Sequence, residues 1–173
     1  MNTNLKDAAL AALMSLALAG AAQAADVTIN ISGKIVASPC VVDGSSDINV
    51  DLGQTLQAAD LSTAGSTSSW VPFTISMKNC PTSTTNVIAT FGGTGDAADL
   101  TRLYTNTGTA SNVAVELQSN DASNTPLGNT KSMTIPRTGS NTAVFPLQSR
   151  VWSKGNASTG TVASVVSVAF TYN

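Results

Sequence analysis

The chain has no histidine and a single glutamate, Glu116, among its 173 residues. Without histidine, the Ser-His-Asp and Cys-His arrangements of exported hydrolases cannot be built, and a zinc site loses its usual nitrogen ligand. Charged residues make up only 10% of the chain and leave a net charge of −2, with neither sign clustered. We therefore expect no enzymatic activity, no metal, no other cofactor, no nucleic-acid groove and no electrostatic attachment to a membrane.

Long apolar runs are scarce as well, and the one that exists lies at residues 8–19. Lys6 precedes this run, and the small-x-small sequence Ala22-Gln23-Ala24 follows it, which together predict a cleavable secretion signal over residues 1–24. The run is too short to cross a bilayer as a helix, so we expect no membrane insertion. Cleavage leaves 149 residues beginning at Ala25, enough for one domain with a core.

Cysteine is limited to Cys40 and Cys80, both in the exported part of the chain. Two cysteines without histidine do not provide the three or four ligands that a zinc site needs. In an oxidising compartment the pair predicts one disulfide.

Short segments with apolar residues at every second position recur along the exported chain, and turn residues separate them. No segment shows a sustained helical period, and Leu56–Leu61 allows one short helical turn at most. About seven such strands predict a single Ig-like β-sandwich. The predicted inward positions are Ile48, Val50 and Leu52; Phe73, Ile75 and Met77; Val87, Ala89 and Phe91; Val113, Val115 and Leu117; Met133 and Ile135; Phe145 and Leu147; and Val162, Ser164, Val166, Val168, Phe170 and Tyr172.

Two features could carry ligand chemistry, and both are weak. Asp96 and Asp99 flank a glycine-rich turn, as in a calcium loop, but polar decoration of an exposed loop is the favoured interpretation. The segment Gly92-Gly93-Thr94-Gly95 follows a strand without leading into a helix, so it does not form a phosphate-binding loop. Trp70 and Trp152 are interpreted as packing residues rather than as platforms for a sugar.

The segment Ala25–Val36 alternates apolar and polar residues but has no turn that would pair it with a local partner. We interpret it as an extended arm that needs an acceptor, which another molecule can provide. A first strand of a complete sandwich is the alternative. The apolar row of the arm consists of Val27, Ile29, Ile31 and Ile35, with Gly33 in the remaining position, where it indicates either a simple bend or a fit to a shallow pocket.

The last segment of the chain supplies a recognisable pattern. Gly160 is the fourteenth residue from the end and Tyr172 is the penultimate one. Earlier in the chain, the two cysteines lie in the motifs Pro39-Cys40 and Asn79-Cys80-Pro81. In these features the whole exported chain resembles the chaperone–usher family of bacterial pilus subunits. Within that family, the segments 25–29, 115–118 and 145–148 are most similar to a minor tip subunit of type 1 fimbriae.

The resemblance implies an all-β fold, an incomplete Ig-like (pilin) sandwich that lacks its final strand and is completed by donor-strand exchange. A periplasmic pilus chaperone, and later the arm of the next subunit at the outer-membrane usher, would fill the open groove. The donated residues would be Val27, Ile29, Ile31, Gly33 and Ile35. The acceptor groove and the chaperone or usher interface would include Gly160, Val162, Val166, Val168, Phe170, Tyr172 and Asn173. The carboxylate of Asn173 would dock on the chaperone.

These patterns predict three regions: a signal peptide at 1–24, a donor-strand extension at 25–36 and a pilin domain at 37–173. The expected role is an adaptor in the tip fibrillum that joins the tip adhesin to the rest of an extracellular fimbria and so supports cell adhesion. Another minor adaptor or the major rod subunit remains an alternative. A carbohydrate-binding adhesin is disfavoured, because family adhesins place a lectin domain ahead of the pilin domain.

Overall fold

The computed structural model describes residues 29–34 and 39–173, and these contain eight β-strands and no helix. The predicted signal peptide and the donor residues Val27 and Ile35 lie outside the described residues. The strands are β1 (Val41–Val42), β2 (Val71–Lys78), β3 (Asn86–Gly93), β4 (Leu103–Thr105), β5 (Val113–Ser119), β6 (Ser132–Pro136), β7 (Ala143–Ser153) and β8 (Val166–Tyr172).

The strands form two antiparallel sheets. The larger sheet has the order β1-β2-β7-β5-β4 and the smaller one the order β6-β3-β8. In the smaller sheet β3 pairs with β8 so that Phe91 lies opposite Val168 and Ala89 opposite Phe170. This all-β, two-sheet architecture confirms the predicted fold class.

The core lies between the two sheets and is built from the alternating residues that the sequence singles out. Phe145 and Leu147 of β7 and Val87 and Phe91 of β3 are almost completely buried. Because side chains alternate across a strand, one apolar residue in two is enough to fill this interior while the other residues face outward. The predicted strands around residues 73–77, 87–91, 113–117, 133–135 and 145–147 are therefore confirmed.

The predicted strand at Ile48, Val50 and Leu52 is wrong, because no strand is assigned there. A strand needs a backbone ladder with a neighbour, and residues 44–56 make no backbone–backbone hydrogen bond to another described segment. The final strand is also shorter than predicted, since β8 begins at Val166 rather than Val162. The short strands β1 and β4 were not predicted.

The two cysteines are joined as predicted. Cys40 and Cys80 form a disulfide between the residue before β1 and the turn after β2. Residues 57–62 form consecutive turns, with the amide groups of Asp60 and Leu61 donating to the carbonyl oxygens of Gln57 and Ala58. This agrees with the single helical turn at most that the sequence allows in this region.

The described part of the arm, residues 29–34, has no regular secondary structure. Ile29 and Ile31 are 77% and 92% exposed, which is unusual for isoleucine. Over the part of the chain that the structure describes, no helix is long and apolar enough to cross a membrane.

Candidate functional site

The last segment of the chain shows strict alternation but incomplete burial. From residue 161 to residue 173, odd-numbered residues are exposed and even-numbered ones are half-buried. The inward residues of β3 directly opposite β8 are 0–1% exposed, although they face the same side of the sheet. The inner face of β8 is therefore apolar but only partly covered by the rest of the domain.

The backbone of β8 is also unpaired on one side. β8 is the last strand in the order β6-β3-β8, so its second edge has no strand partner among the described residues. An apolar strand with a free edge is normally protected against pairing with other chains. Among the described residues, no strand covers this edge of β8.

A second wall faces this edge and comes from residues 40–61. At one end the hydroxyl of Tyr172 donates to the carbonyl oxygen of Cys40 over 3.4 Å. In the middle Leu52 packs against both apolar clusters of the core, as Val162 does. At the other end Leu56 and Leu61 line a cavity of about 120 Å³ together with Gly160 and Val162. We call the space between residues 40–61 and residues 160–172 the open cleft.

Gly160 turns the chain into the open cleft at a position where no other residue fits. Its φ is +149°, a value that residues with a side chain rarely adopt. A Cβ atom placed on it would lie 2.4 Å from the amide nitrogen of Ala110. The close contact brings residues 160–163 against residues 107–110, where the amides of Thr107 and Ala110 donate to the carbonyl oxygens of Ala163 and Thr161.

Asn173 is held by the start of β3. Its main-chain oxygen accepts hydrogen bonds from the amides of Thr85 and Asn86, and its own amide donates to the carbonyl oxygen of Asn86. These bonds fix the end of β8 and hence the register of the inward row. Thus the structure gathers Gly160, Val162, Val166, Val168, Phe170 and Tyr172 along the open cleft and places Asn173 at its end.

The opposite wall of the open cleft was not predicted as part of a site. Val42 and Leu52 pack on the core beside the β8 residues, and Leu56 lines the cavity. The sequence signal was present, since residues 48–52 alternate as a strand does. This alternation predicts a strand within the sheet rather than a wall without a partner.

The outer face of the larger sheet carries a charge network that sequence reasoning also missed. Glu116 is 1% exposed and binds Arg102 at 2.8 Å and Arg150 at 2.6 Å. The Arg150 guanidinium also stacks on Trp70, with its carbon 4.0 Å from the ring centre. Trp70 is half-buried and supports this network, in agreement with its interpretation as a packing residue.

The two aspartates considered for calcium bind protein groups instead. Asp96 forms an ion pair with Lys154 at 2.9 Å, and Asp99 binds Arg102 and the Thr101 side chain. Burial tends to raise the pKa of Asp96, but the Lys154 ammonium and the amide of Ala98 outweigh it and leave the pKa below its usual range. Within residues 29–34 and 39–173, no group of three or more acidic or sulfur ligands is arranged to hold a metal.

Comparison with known proteins identifies the domain. Residues 29–173 match the family model described as "Fimbrial protein". The chain is 42% identical to protein FimG of Escherichia coli K12, with 95% of each chain covered, and 38% identical to the S-fimbrial adhesin protein SfaS of E. coli O6:K15:H31, with 90% of each covered. The crystal structure of the P pilus rod subunit PapA superimposes with a TM-score of 0.65 at 20% identity, covering 79% of this chain and 100% of PapA.

The two-sheet fold and these matches thus define an Ig-like pilin domain. This chain belongs to the fimbrial protein family, whose members are structural subunits of extracellular pili.

Proposed function

We propose that this chain is an adaptor in the tip of a type 1-like fimbria, where it joins the tip adhesin to the rest of the pilus by donor-strand complementation. The observation that carries the proposal is the half-covered inner row of β8 beside an unpaired strand edge. The similarity to FimG along 95% of both chains supports it.

In this mechanism the open cleft receives a strand from another protein. Backbone hydrogen bonds to β8 provide affinity, and pockets along Val162–Tyr172 fix the register of the incoming side chains. A periplasmic chaperone fills the open cleft first, with the Asn173 carboxylate as one of its contacts. At the outer-membrane usher the arm of the next subunit replaces it, and the finished fibre lies outside the cell.

The arm of this chain performs the complementary task for its other neighbour. Val27, Ile29, Ile31, Gly33 and Ile35 form the row that it would insert into the cleft of the adjoining subunit. The exposure of Ile29 and Ile31 supports this role, since both side chains are available to a partner. Twelve residues at about 3.3 Å each span roughly 40 Å, enough to follow a neighbouring sandwich.

Deletion of residues 25–35 tests the donor role. We expect the exported chain without them to bind its chaperone normally but to lose attachment to the pilin domain of the adhesin, as followed by native gels of purified chaperone complexes. Gly33→Leu should slow the attachment, because a larger side chain enters a shallow pocket, whereas Ser32→Leu on the outward row is the matched control. Loss of chaperone binding on deletion would show that the arm belongs to its own domain.

A second candidate function, adhesion itself, is favoured by one comparison. SfaS bears the name of an S-fimbrial adhesin, and 90% of its length is covered by this chain, so the size of the chain does not exclude this function. Binding of the chaperone complex to a glycan array tests this candidate directly, and the absence of binding to any glycan would contradict it.

A further inference from the structure

The proposed function leaves open which strand the cleft prefers, and the charges around the cleft bear on that choice. On the β8 side, the outward residues Val165, Ser167, Ala169 and Thr171 are all uncharged. The outward face of the smaller sheet continues without charge across β3 and β6, where Thr90 lies opposite Ser132 and Ile88 opposite Thr134. A strand added beside β8 therefore meets no charge on that flank.

The other flank is acidic. Residues 43–60 contain Asp43, Asp47, Asp51 and Asp60 and neither lysine nor arginine. Asp43 is neutralised by Lys78 at 2.7 Å. Asp47, Asp51 and Asp60 are exposed, and no described lysine or arginine lies within ion-pair distance of them.

Asp47 and Asp51 are both exposed, whereas Val50 and Leu52 on either side of Asp51 are half-buried. The two carboxylates of this wall therefore face solvent rather than the core. The amide of Gly53 and the side chain of Gln54 donate to Asp51 and hold its pKa below the usual range. Asp51 thus remains charged at neutral pH, on the same wall of the open cleft as Leu52.

We infer that the open cleft selects a donor strand from another protein that carries lysine or arginine on its outward row, through Asp47 and Asp51. Opposite charges on adjacent strands attract and like charges repel, and these two carboxylates have no cation of their own among the described residues. The arm of a second copy is a poorer donor, since its outward row holds Asp26 at one end and Lys34 at the other. The inference depends on the proposed function.

Three synthetic peptides of residues 25–36 test the inference. All three peptides share the apolar row. The first keeps the native Thr28, Asn30 and Ser32, the second has lysine at all three positions, and the third has glutamate at all three. Each peptide is mixed with the complete exported chain in complex with its co-expressed chaperone, and native gels follow the replacement of the chaperone. The melting temperature of each product is then measured at 20 mM and at 1 M NaCl.

We expect the lysine peptide to enter on the order of tenfold faster than the glutamate peptide at low salt, and its product to melt about 5 °C higher. Both differences should shrink at 1 M NaCl, where the Debye length is about 3 Å. They should also shrink in the Asp47→Asn, Asp51→Asn double variant. Asp121→Asn is the matched control for Asp51, because both aspartates accept amide hydrogen bonds in a turn, and it should leave the differences unchanged.

The outcomes separate the inference from the proposed function. If none of the peptides enters, the cleft does not accept a strand and the proposed function fails. If the peptides enter but lysine and glutamate behave alike, or if their difference survives the double variant, the inference alone is wrong. If the native and lysine peptides enter at the same rate and give products of the same melting temperature, the cleft does not discriminate against a second copy, and that part of the inference is wrong.

Discussion

At the scale of single residues, Gly160 shows how one missing side chain shapes the open cleft. Its φ of +149° and the 2.4 Å approach to the Ala110 amide nitrogen leave no room for a Cβ atom. We predict that Gly160→Ala lowers the free energy of unfolding by at least about 2 kcal/mol. The measurement is guanidinium unfolding of a strand-completed form, defined as the exported chain with residues 25–36 repeated behind Asn173 through a turn.

Gly139 provides the matched control for this substitution. It lies in the turn between β6 and β7, and a Cβ atom there meets nothing within 4 Å. Gly139→Ala should therefore change the free energy of unfolding by less than about 1 kcal/mol. Equal effects at the two glycines would contradict the steric explanation.

Glu116 is the residue on which the outer charge network depends. Replacing it with glutamine leaves Arg102 and Arg150 facing a neutral group at a site where Glu116 itself is 1% exposed. Breaking a buried pair typically costs about 3–5 kcal/mol. Since both arginines are partly exposed, we predict a loss of about 2–4 kcal/mol in the unfolding free energy of the strand-completed form.

The exposed pair of Lys78 and Asp43 is the comparison for Glu116. Their side chains are 45% and 54% exposed, so solvent screens the attraction at 2.7 Å. Asp43→Asn should cost no more than about 1 kcal/mol under the same conditions. A larger loss here than at Glu116 would mean that burial does not determine the strength of these pairs.

Tyr104 makes the domain sensitive to alkali. The phenol is fully buried and donates to the carbonyl oxygen of Leu127, and burial raises its pKa to about 12. Because the folded pKa lies above the ordinary value of 10, the stabilisation is complete below pH 10 and is lost as the pH rises toward 12. We expect the unfolding free energy of the strand-completed form to fall over this range, and less steeply in Tyr104→Phe. A parallel decline in both forms would contradict this assignment.

At the scale of elements, the sequence predicts side-chain parity better than strand boundaries. The inward row Val162–Tyr172, including Ser164, agrees with the observed burial residue by residue, since a period of two is set by the local backbone. Residues 48–52 have the same pattern but form no strand, because hydrogen-bonding partners come from elsewhere in space. Periodicity shows which side chains face inward and cannot show whether a neighbouring strand is present.

The outer charge network shows the complementary limit. Glu116 lies at an outward position of β5, where the sequence indicates exposure, yet it is buried. Its arginine partners come from residues 102 and 150, on either side of β5 in the sheet. Only the strand order brings these side chains together, so no local pattern could have predicted the network.

Phe170 tests whether β8 becomes an interior strand once a donor is present. Its ring lies 5.7 Å from that of Phe145 across the core, but it remains half-exposed. In the strand-completed form the added strand should cover it. We therefore predict that Phe170→Ala costs about 3–5 kcal/mol of unfolding free energy, as for a buried phenylalanine. The outward Thr171→Ala is the control and should stay within about 0.5 kcal/mol; similar small effects at both positions would show that the added strand does not cover β8.

At the scale of the whole molecule, the domain combines a disulfide with a sheet whose last strand, β8, has an unpaired edge. The disulfide of Cys40 and Cys80 spans a sequence separation of 40 residues and fixes the start of the second wall of the open cleft. In the chain-entropy model a loop of this length contributes about 4 kcal/mol. The disulfide therefore ties the start of the second wall to the end of β2 in the larger sheet.

The incomplete sheet predicts how the isolated domain behaves. Without a strand in the open cleft, the inner row of β8 and its free edge are exposed to other molecules, and such edges promote association. We expect the exported chain, expressed without chaperone, to aggregate, and the strand-completed form to be a monomer that unfolds in one cooperative transition, as measured by size-exclusion chromatography and calorimetry. A strand-completed form with Ile29→Asp, Ile31→Asp in the repeated segment is the control, because it adds the same length of chain without an apolar row. If the unmodified exported chain were a monomer with a cooperative transition at high temperature, the sandwich would be complete without a donor, and the open cleft would have a different role.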